Sequence, residues 1–331
     1  MLQRVLNTVF ICLSVAACTG QSQIESDIDK LSERLSSFTG ISAQKSEIQP
    51  VLSAPAKHTL AISIDELQIG IREFYAIDDC PLGQFIAQRN TSLGKTHLPS
   101  TRFIYEKELM STLRMCMNQL DEGHRMQNPL ASWIAHKQHN LSSVWANMMT
   151  QSDEVYLAFT MTGDFITGDS NDSLTGSRLA LGQLIESLDS TEIDSNALEL
   201  HLRELSESRL PAKMWKTQAL LTQELPLISA LLQEYITTSE QACNRAKREE
   251  LKIMRNIFSV LFADTIQALA SQLNHYQYQL NPYFESLANH PSIPPAWQGY
   301  INQQYITQAK EYKRNMQSHI ELWQQVFKLC E

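Results

Sequence analysis

Two amphipathic limbs bounded by cysteines constrain this chain more than any other feature. Between Cys243 and Cys330, apolar residues recur every three or four positions, first at Leu251, Met254, Ile257, Phe258, Leu261, Phe262, Ile266, Leu269, Ala270 and Leu273. The pattern returns at Ile301, Tyr305, Ala309, Tyr312, Met316, Ile320, Trp323, Phe327 and Cys330. That spacing predicts two helices, each with one apolar face. Asn281-Pro282 and the run His290-Pro291-Ser292-Ile293-Pro294-Pro295 lie between them. Prolines lack an amide donor and restrict the residue before them, so the helix is expected to stop there and reverse. Limbs of about thirty residues, roughly 45 Å each, would bring Cys243 and Cys330 together as a disulfide clasp. The fold class is therefore mostly α: antiparallel helical hairpins and a bundle, ending in a long C-terminal hairpin.

The N-terminus suggests a compartment. Arg4 precedes an apolar run from Val5 to Ala17, a length that suits a secretory signal better than a membrane span. The run ends Val15-Ala16-Ala17-Cys18-Thr19-Gly20, a series of small residues before a cysteine that resembles a bacterial lipoprotein processing box. Cys18 is then expected to carry lipid as the first mature residue, which would hold a soluble domain at a membrane. Ordinary cleavage after Ala17 is the alternative. Thr19 is not the aspartate associated with inner-membrane retention, so the expected location is the outer membrane, facing the periplasm. The formal charge of −9 argues against nucleic acid or an anionic membrane surface as the main partner.

Cysteine usage follows from that compartment. With Cys12 in the signal and Cys18 acylated, Cys80, Cys116, Cys243 and Cys330 remain, and four thiols in an oxidising space allow three pairings. Matched helix lengths favour Cys80 with Cys116 and Cys243 with Cys330, since residues 80–92 and 101–116 read as two short helices joined by a turn. The absence of a CxxC pair disfavours a thiolate metal site. No metal or other cofactor is expected.

The chain divides into a signal (1–17), a lipid-attachment, short-helix and tether segment (18–58), and a helical domain (59–331) with parts 59–225 and 226–331. Ile24, Ile28, Leu31 and Leu35 mark a helix that could be a stalk or could dock on the domain. Leu60 to Ile64 alternates briefly, as a short extended piece would. Ser63 and Glu66 form a capping-box pattern that predicts a helix from Asp65 through Tyr75. Ser100 or Thr101 is expected to cap the helix carrying Phe103, Leu109 and Leu113, with Lys107 and Glu108 in water.

One run is distinctive: Arg89-Asn90-Thr91-Ser92-Leu93-Gly94, followed by Pro99-Ser100, Phe103 and Tyr105-Glu106. It resembles the DUF3080 family of gammaproteobacterial lipoproteins, and the likeness extends over most of the mature chain. The resemblance implies the envelope location and supplies no catalytic residues. Arg89, Asn90, Ser92, Gly94, Tyr105 and Glu106 stand as a motif of unknown role.

Further along, Gln127 to Met149 reads as a helix whose His136 and His139 share a face, without the HExxH arrangement of a zinc hydrolase. Val155, Leu157 and Phe159 alternate, which predicts a short strand. The glycine- and oxygen-rich loop through Asp172 matches neither an EF-hand nor a phosphate loop. Helices are expected over Ser177–Leu188, with Leu179 facing the core, over Ser195–Leu205, after Pro211, and again from about Pro226. The charged residues Arg245, Lys247, Arg248, Glu249 and Glu250, with Lys310, Glu311, Lys313 and Arg314 on the returning limb, read as a wet helix face or as a protein or anionic-ligand patch.

Together these features point to a non-enzymatic interaction or structural module, tethered through Cys18 to membrane lipid and meeting an envelope protein partner. The alternative is an envelope hydrolase or small-ligand-binding protein with a pocket between helices, bordered by the 160–176 loop.

Overall fold

The computed structural model describes residues 21–43, 52–74, 76, 80–89, 98–239 and 243–330, without the side chains of Ile71, Phe74, Gln88 and Arg89. Among the described residues it is helical throughout and contains no strand. The helices are α1 (Gln23–Thr39), α2 (Ile71–Phe74), α3 (Leu82–Arg89), α4 (Pro99–Gln119), α5 (Gln127–Gln151) and α6 (Asp153–Thr160). They continue as α7 (Leu174–Glu186), α8 (Ser195–Ser208), α9 (Leu210–Thr238), α10 (Arg245–Ile257), α11 (Ala268–Asn289), α12 (Pro295–Ile301) and α13 (Gln308–Phe327). π-Helical turns at Phe258–Gln267 and Asn302–Thr307 join α10 to α11 and α12 to α13. Residues 1–17, where a signal is expected, and Cys18 lie outside the described residues.

Helix α1 docks. Ser22 accepts from the Glu25 amide while the Glu25 carboxylate accepts from the Ser22 amide, a reciprocal cap that fixes where the helix starts. Its Ile24, Ile28, Leu31 and Leu35 stripe is buried in the main core against α9, α10 and the first π segment. Gly40, at φ 74°, ends it in the left-handed conformation that glycine adopts freely.

Prolines terminate less than expected. Helix α9 runs unbroken through Pro226, although the proline removes the donor for the Thr222 carbonyl four residues earlier. Asn315 of α13 supplies a replacement, its side-chain amide donating to that carbonyl at 3.2 Å. The first limb likewise runs 45 residues from Arg245 to Asn289, straight through Pro282. The deprived carbonyl belongs to Tyr278, a residue on the exposed face of the limb. The reversal falls at His290–Pro294 alone, where Ile293 and Trp297 donate backbone bonds to His290 and Pro294.

The π turns keep a long stripe in line. Met254, Phe258, Phe262, Ile266 and Ala270 follow at steps of four, and in an α-helix each such step drifts by about 40° around the axis. The wider turns from Phe258 to Gln267 compensate that drift, so Met254, Phe262, Ile266 and Ala270 are all buried.

Other local expectations are corrected. Residues 153–160 are helical, not a strand, because Val155, Ala158 and Phe159 at helical spacing fill the core. Residues 61–70 have no regular structure. Ile62 exchanges two hydrogen bonds with the Asn147 side chain, and the Asp65 carbonyl accepts from Asn140. Backbone groups held by α5 in this way cannot enter a helix from Asp65, and α2 begins only after Gly70. Helix α4 starts at Pro99 with no side-chain cap, leaving Ser100 buried. Lys107 is buried rather than wet, its ammonium donating to the Leu188 and Ser190 carbonyls at 2.6 and 2.5 Å. Burial lowers its pKa. Leu179 is exposed.

Two apolar clusters result. The larger is built from α1, α4–α9 and the C-terminal limbs; the smaller gathers Leu82, Leu109, Leu113, Cys116, Met126, Leu130 and Trp133 from α3, α4, α5 and the turn between the last two.

Candidate functional site

The expected disulfide partners are bonded to one another. Cys80 joins Cys116 with an S–S distance of 2.08 Å, inside the smaller cluster. Cys243 joins Cys330 with Cα atoms 5.3 Å apart, just before the first limb begins and just after the second ends. Of the distinctive motif, Asn90, Ser92, Gly94 and the Arg89 side chain lie outside the described residues. Tyr105 stacks on Phe85 with centroids 4.9 Å apart, and the buried Glu106 pairs with Lys137 at 2.8 Å. Tyr105 packs against the smaller cluster, and Glu106 faces Lys137 of α5. His136 meets the Asp65 carbonyl at 3.1 Å while His139 is exposed. Among the described residues no three His, Cys, Asp or Glu side chains gather as a metal site.

One serine and one histidine do meet, and their geometry is instructive. Ser229 Oγ lies 2.8 Å from His319 Nδ1, while Trp323 donates its indole proton to His319 Nε2 at 3.0 Å. Indole only donates, so Nε2 is the acceptor nitrogen and Nδ1 carries the proton. The imidazole therefore donates to Ser229 and has no free lone pair with which to deprotonate it, the reverse of a nucleophile–base pair.

Among the described residues, one concavity is a groove of about 1020 Å³. Its walls are the first turn of α1, loop 163–168, Lys213 and Lys216 of α9, and residues 264–272 where the first π segment passes into α11. The loop that borders it is firmly held. Asp172, with no exposed surface, accepts from the Thr167 amide at 2.9 Å, the Gly168 amide at 2.8 Å and the Tyr276 hydroxyl at 3.1 Å. Burial, then the Asp172 charge, keeps the Tyr276 phenol protonated. Upstream, the Phe159 carbonyl accepts from Trp215, Tyr300 and Tyr305 at 3.2, 3.2 and 2.6 Å, which pins the point where the chain leaves α6.

Gly168 is required where it stands. At φ 80° it occupies the left-handed region, and a Cβ there would come within 3.3 Å of both Gln272 and Leu269. Asp169 caps the following turn, and hydrogen bonds from Thr167 and Asn171 hold its carboxyl below the usual range.

Apolar floor and charged rim alternate in this groove. Ile24, Phe165 and Ile166 are buried there. Lys216 lies 4.2 Å from the Phe165 ring centroid and donates to the Gly163 carbonyl. The 160–176 segment is recognisable in the sequence as an oxygen-rich loop. The facing walls are not, because residues 22–27, 213–216 and 264–272 are remote in sequence and ordinary in composition.

The architecture is thus all-α among the described residues, with a groove beside the first helix whose bordering loop is hydrogen-bonded through Asp172. The chain belongs to DUF3080, a family of proteins of unknown function whose profile matches residues 28–331. No curated protein and no solved structure matches the chain.

Proposed function

We propose that the protein is a lipid-anchored binding module of the outer membrane, facing the periplasm and engaging its partner through the groove beside α1. The observation that carries this reading is the groove itself, pre-formed by the Asp172 latch and the triply bonded Phe159 carbonyl. Pre-formed walls spare the ordering cost of binding. The location rests on the sequence before α1. Cys18 precedes Ser22 by four residues, a reach of at most about 14 Å, so an acylated Cys18 keeps the groove against the membrane surface. The reversed Ser229–His319 pair favours binding over hydrolysis.

Two measurements test the proposal. Metabolic labelling with an alkyne fatty acid should mark the wild type and not Cys18→Ser, with the label in the outer-membrane fraction; label in neither form removes the anchor. A photo-crosslinking residue at Gln272 should trap an adduct in intact envelopes that the same residue at the exposed Leu200 of α8 does not. Equal trapping at both positions removes the groove as the binding site.

A further inference from the structure

We propose that the groove holds one zwitterionic phospholipid with a primary-amine headgroup, its phosphate on Lys213 and its ammonium between Asp164 and Asp264. The inference deepens the binding reading above and rests on it.

Half of the six charged residues lining the groove are already engaged. Glu25 is held in the α1 cap, Asp27 accepts from Gln23 and pairs with Lys30, and Lys216 is bonded to the Gly163 carbonyl. Three remain. The Lys213 ammonium makes no hydrogen bond or ion pair among the described residues, and its charge helps to lower the Asp169 pKa. The Asp164 and Asp264 carboxylates likewise accept no bond from any described residue. Lys213 comes from α9, Asp164 from the loop and Asp264 from the π segment, so the cation and both anions line one space.

A simple anion on Lys213 would meet two carboxylates, and a simple cation would meet the lysine. A ligand carrying a phosphate and a primary ammonium a few bonds apart satisfies both, through charge-assisted hydrogen bonds. A quaternary ammonium has no N–H to donate and a glycerol headgroup has no charge to offer. The floor of Ile24, Phe165, Ile166 and Leu269 then receives the upper acyl chains, whose burial adds stabilisation in proportion to area. The source of such a ligand is adjacent, because the short Cys18–Ser22 reach leaves the groove at the bilayer surface.

The test uses the mature chain with Cys18→Ser, exported through a cleavable signal peptide so that it carries no acyl group of its own. Dihexanoyl phosphatidylethanolamine, phosphatidylglycerol and phosphatidylcholine are titrated below their micelle concentrations by isothermal calorimetry. Saturable one-to-one binding of phosphatidylethanolamine is expected, about tenfold tighter than either other lipid. Asp264→Asn should weaken phosphatidylethanolamine about tenfold and leave phosphatidylglycerol unchanged, whereas Lys213→Gln should weaken both. Both substitutions lie on the groove rim, so circular dichroism should match the parent. No saturable binding, equal affinity for the three headgroups, or unchanged phosphatidylethanolamine affinity in either variant overturns the proposal. So does an amphipathic Lys/Leu peptide that displaces the lipid and binds more tightly. The binding is measured without lipidation or a membrane, so its failure leaves fatty-acid labelling of Cys18 intact, and loss of labelling leaves the binding result standing.

Discussion

His319 has no exposed surface, with the Phe262 ring centroid 4.7 Å away and Trp323 and Ser229 bonded to its two nitrogens. Burial pushes its pKa down from 6.5 to about 3. The folded state thus holds a neutral imidazole where the unfolded chain would protonate. Stability from this group is fully present above the unfolded pKa and falls as pH drops from 6.5 toward 3, because the unfolded state then binds the extra proton. At pH 5 the loss should be about 2 kcal/mol. Urea denaturation at pH 7 and pH 5 should show that loss in the wild type and a smaller one in His319→Gln; an unchanged pH difference would remove His319 as its source. The half-buried His290, its pKa also lowered by burial, contributes in the same direction and stays in both proteins. Asp172 allows a second test. Asp172→Asn removes an anion that two backbone amides and a phenol address, at a cost of about 1–3 kcal/mol. Hydrogen exchange at Thr167 and Gly168 should quicken well before global unfolding does. Unchanged protection there would mean that the loop is held by something else.

Proline in a helix is a statement about one carbonyl, and α9 shows how a neighbouring element can answer it. If Asn315 compensates Pro226, the two residues are energetically coupled through the Thr222 carbonyl. Asn315→Ala should cost about 1 kcal/mol in the wild type and clearly less in a Pro226→Ala background, where the helix supplies its own donor. Additive losses in that double-mutant cycle would show that the 3.2 Å bond carries no energy. The same pair explains what the sequence reveals at this scale. The stripes of α1 and α8 are legible because one buried face imposes its period on contiguous residues. The uninterrupted α9 is not legible, since its continuity depends on a side chain 93 positions away. Strand-like alternation at Val155, Leu157 and Phe159 misleads for a related reason: the same short stretch carries Val155, Ala158 and Phe159 at helical spacing, and burial of that set decides. The groove divides in the same way, with its loop readable from composition and its other walls assembled only by packing.

Across the whole molecule, the two disulfides sit in different apolar clusters and should have different consequences. Cys80–Cys116 closes 36 residues and belongs to the small cluster with Leu82, Leu113, Leu130 and Trp133. Cys243–Cys330 spans 87 residues and fastens the ends of the two limbs, with Cys330 packed against the large cluster. A crosslink restrains the unfolded chain more as its loop lengthens, typically by about 2–4 kcal/mol. Removing the longer bridge should therefore lower the global melting temperature, with similar losses for Cys243→Ser, Cys330→Ser and the double replacement, because one bridge cannot be lost twice. Helices α4 and α5 contribute residues to both clusters, so the small cluster can loosen at one end while their inner portions stay packed in the large core. Cys80→Ser with Cys116→Ser should accordingly raise hydrogen exchange in residues 82–89 and 109–133 first, leaving residues 141–149 protected until global unfolding. Loss of protection throughout α5 at the same rate would show that the two clusters unfold as one cooperative unit, and that the shorter bridge secures the entire fold.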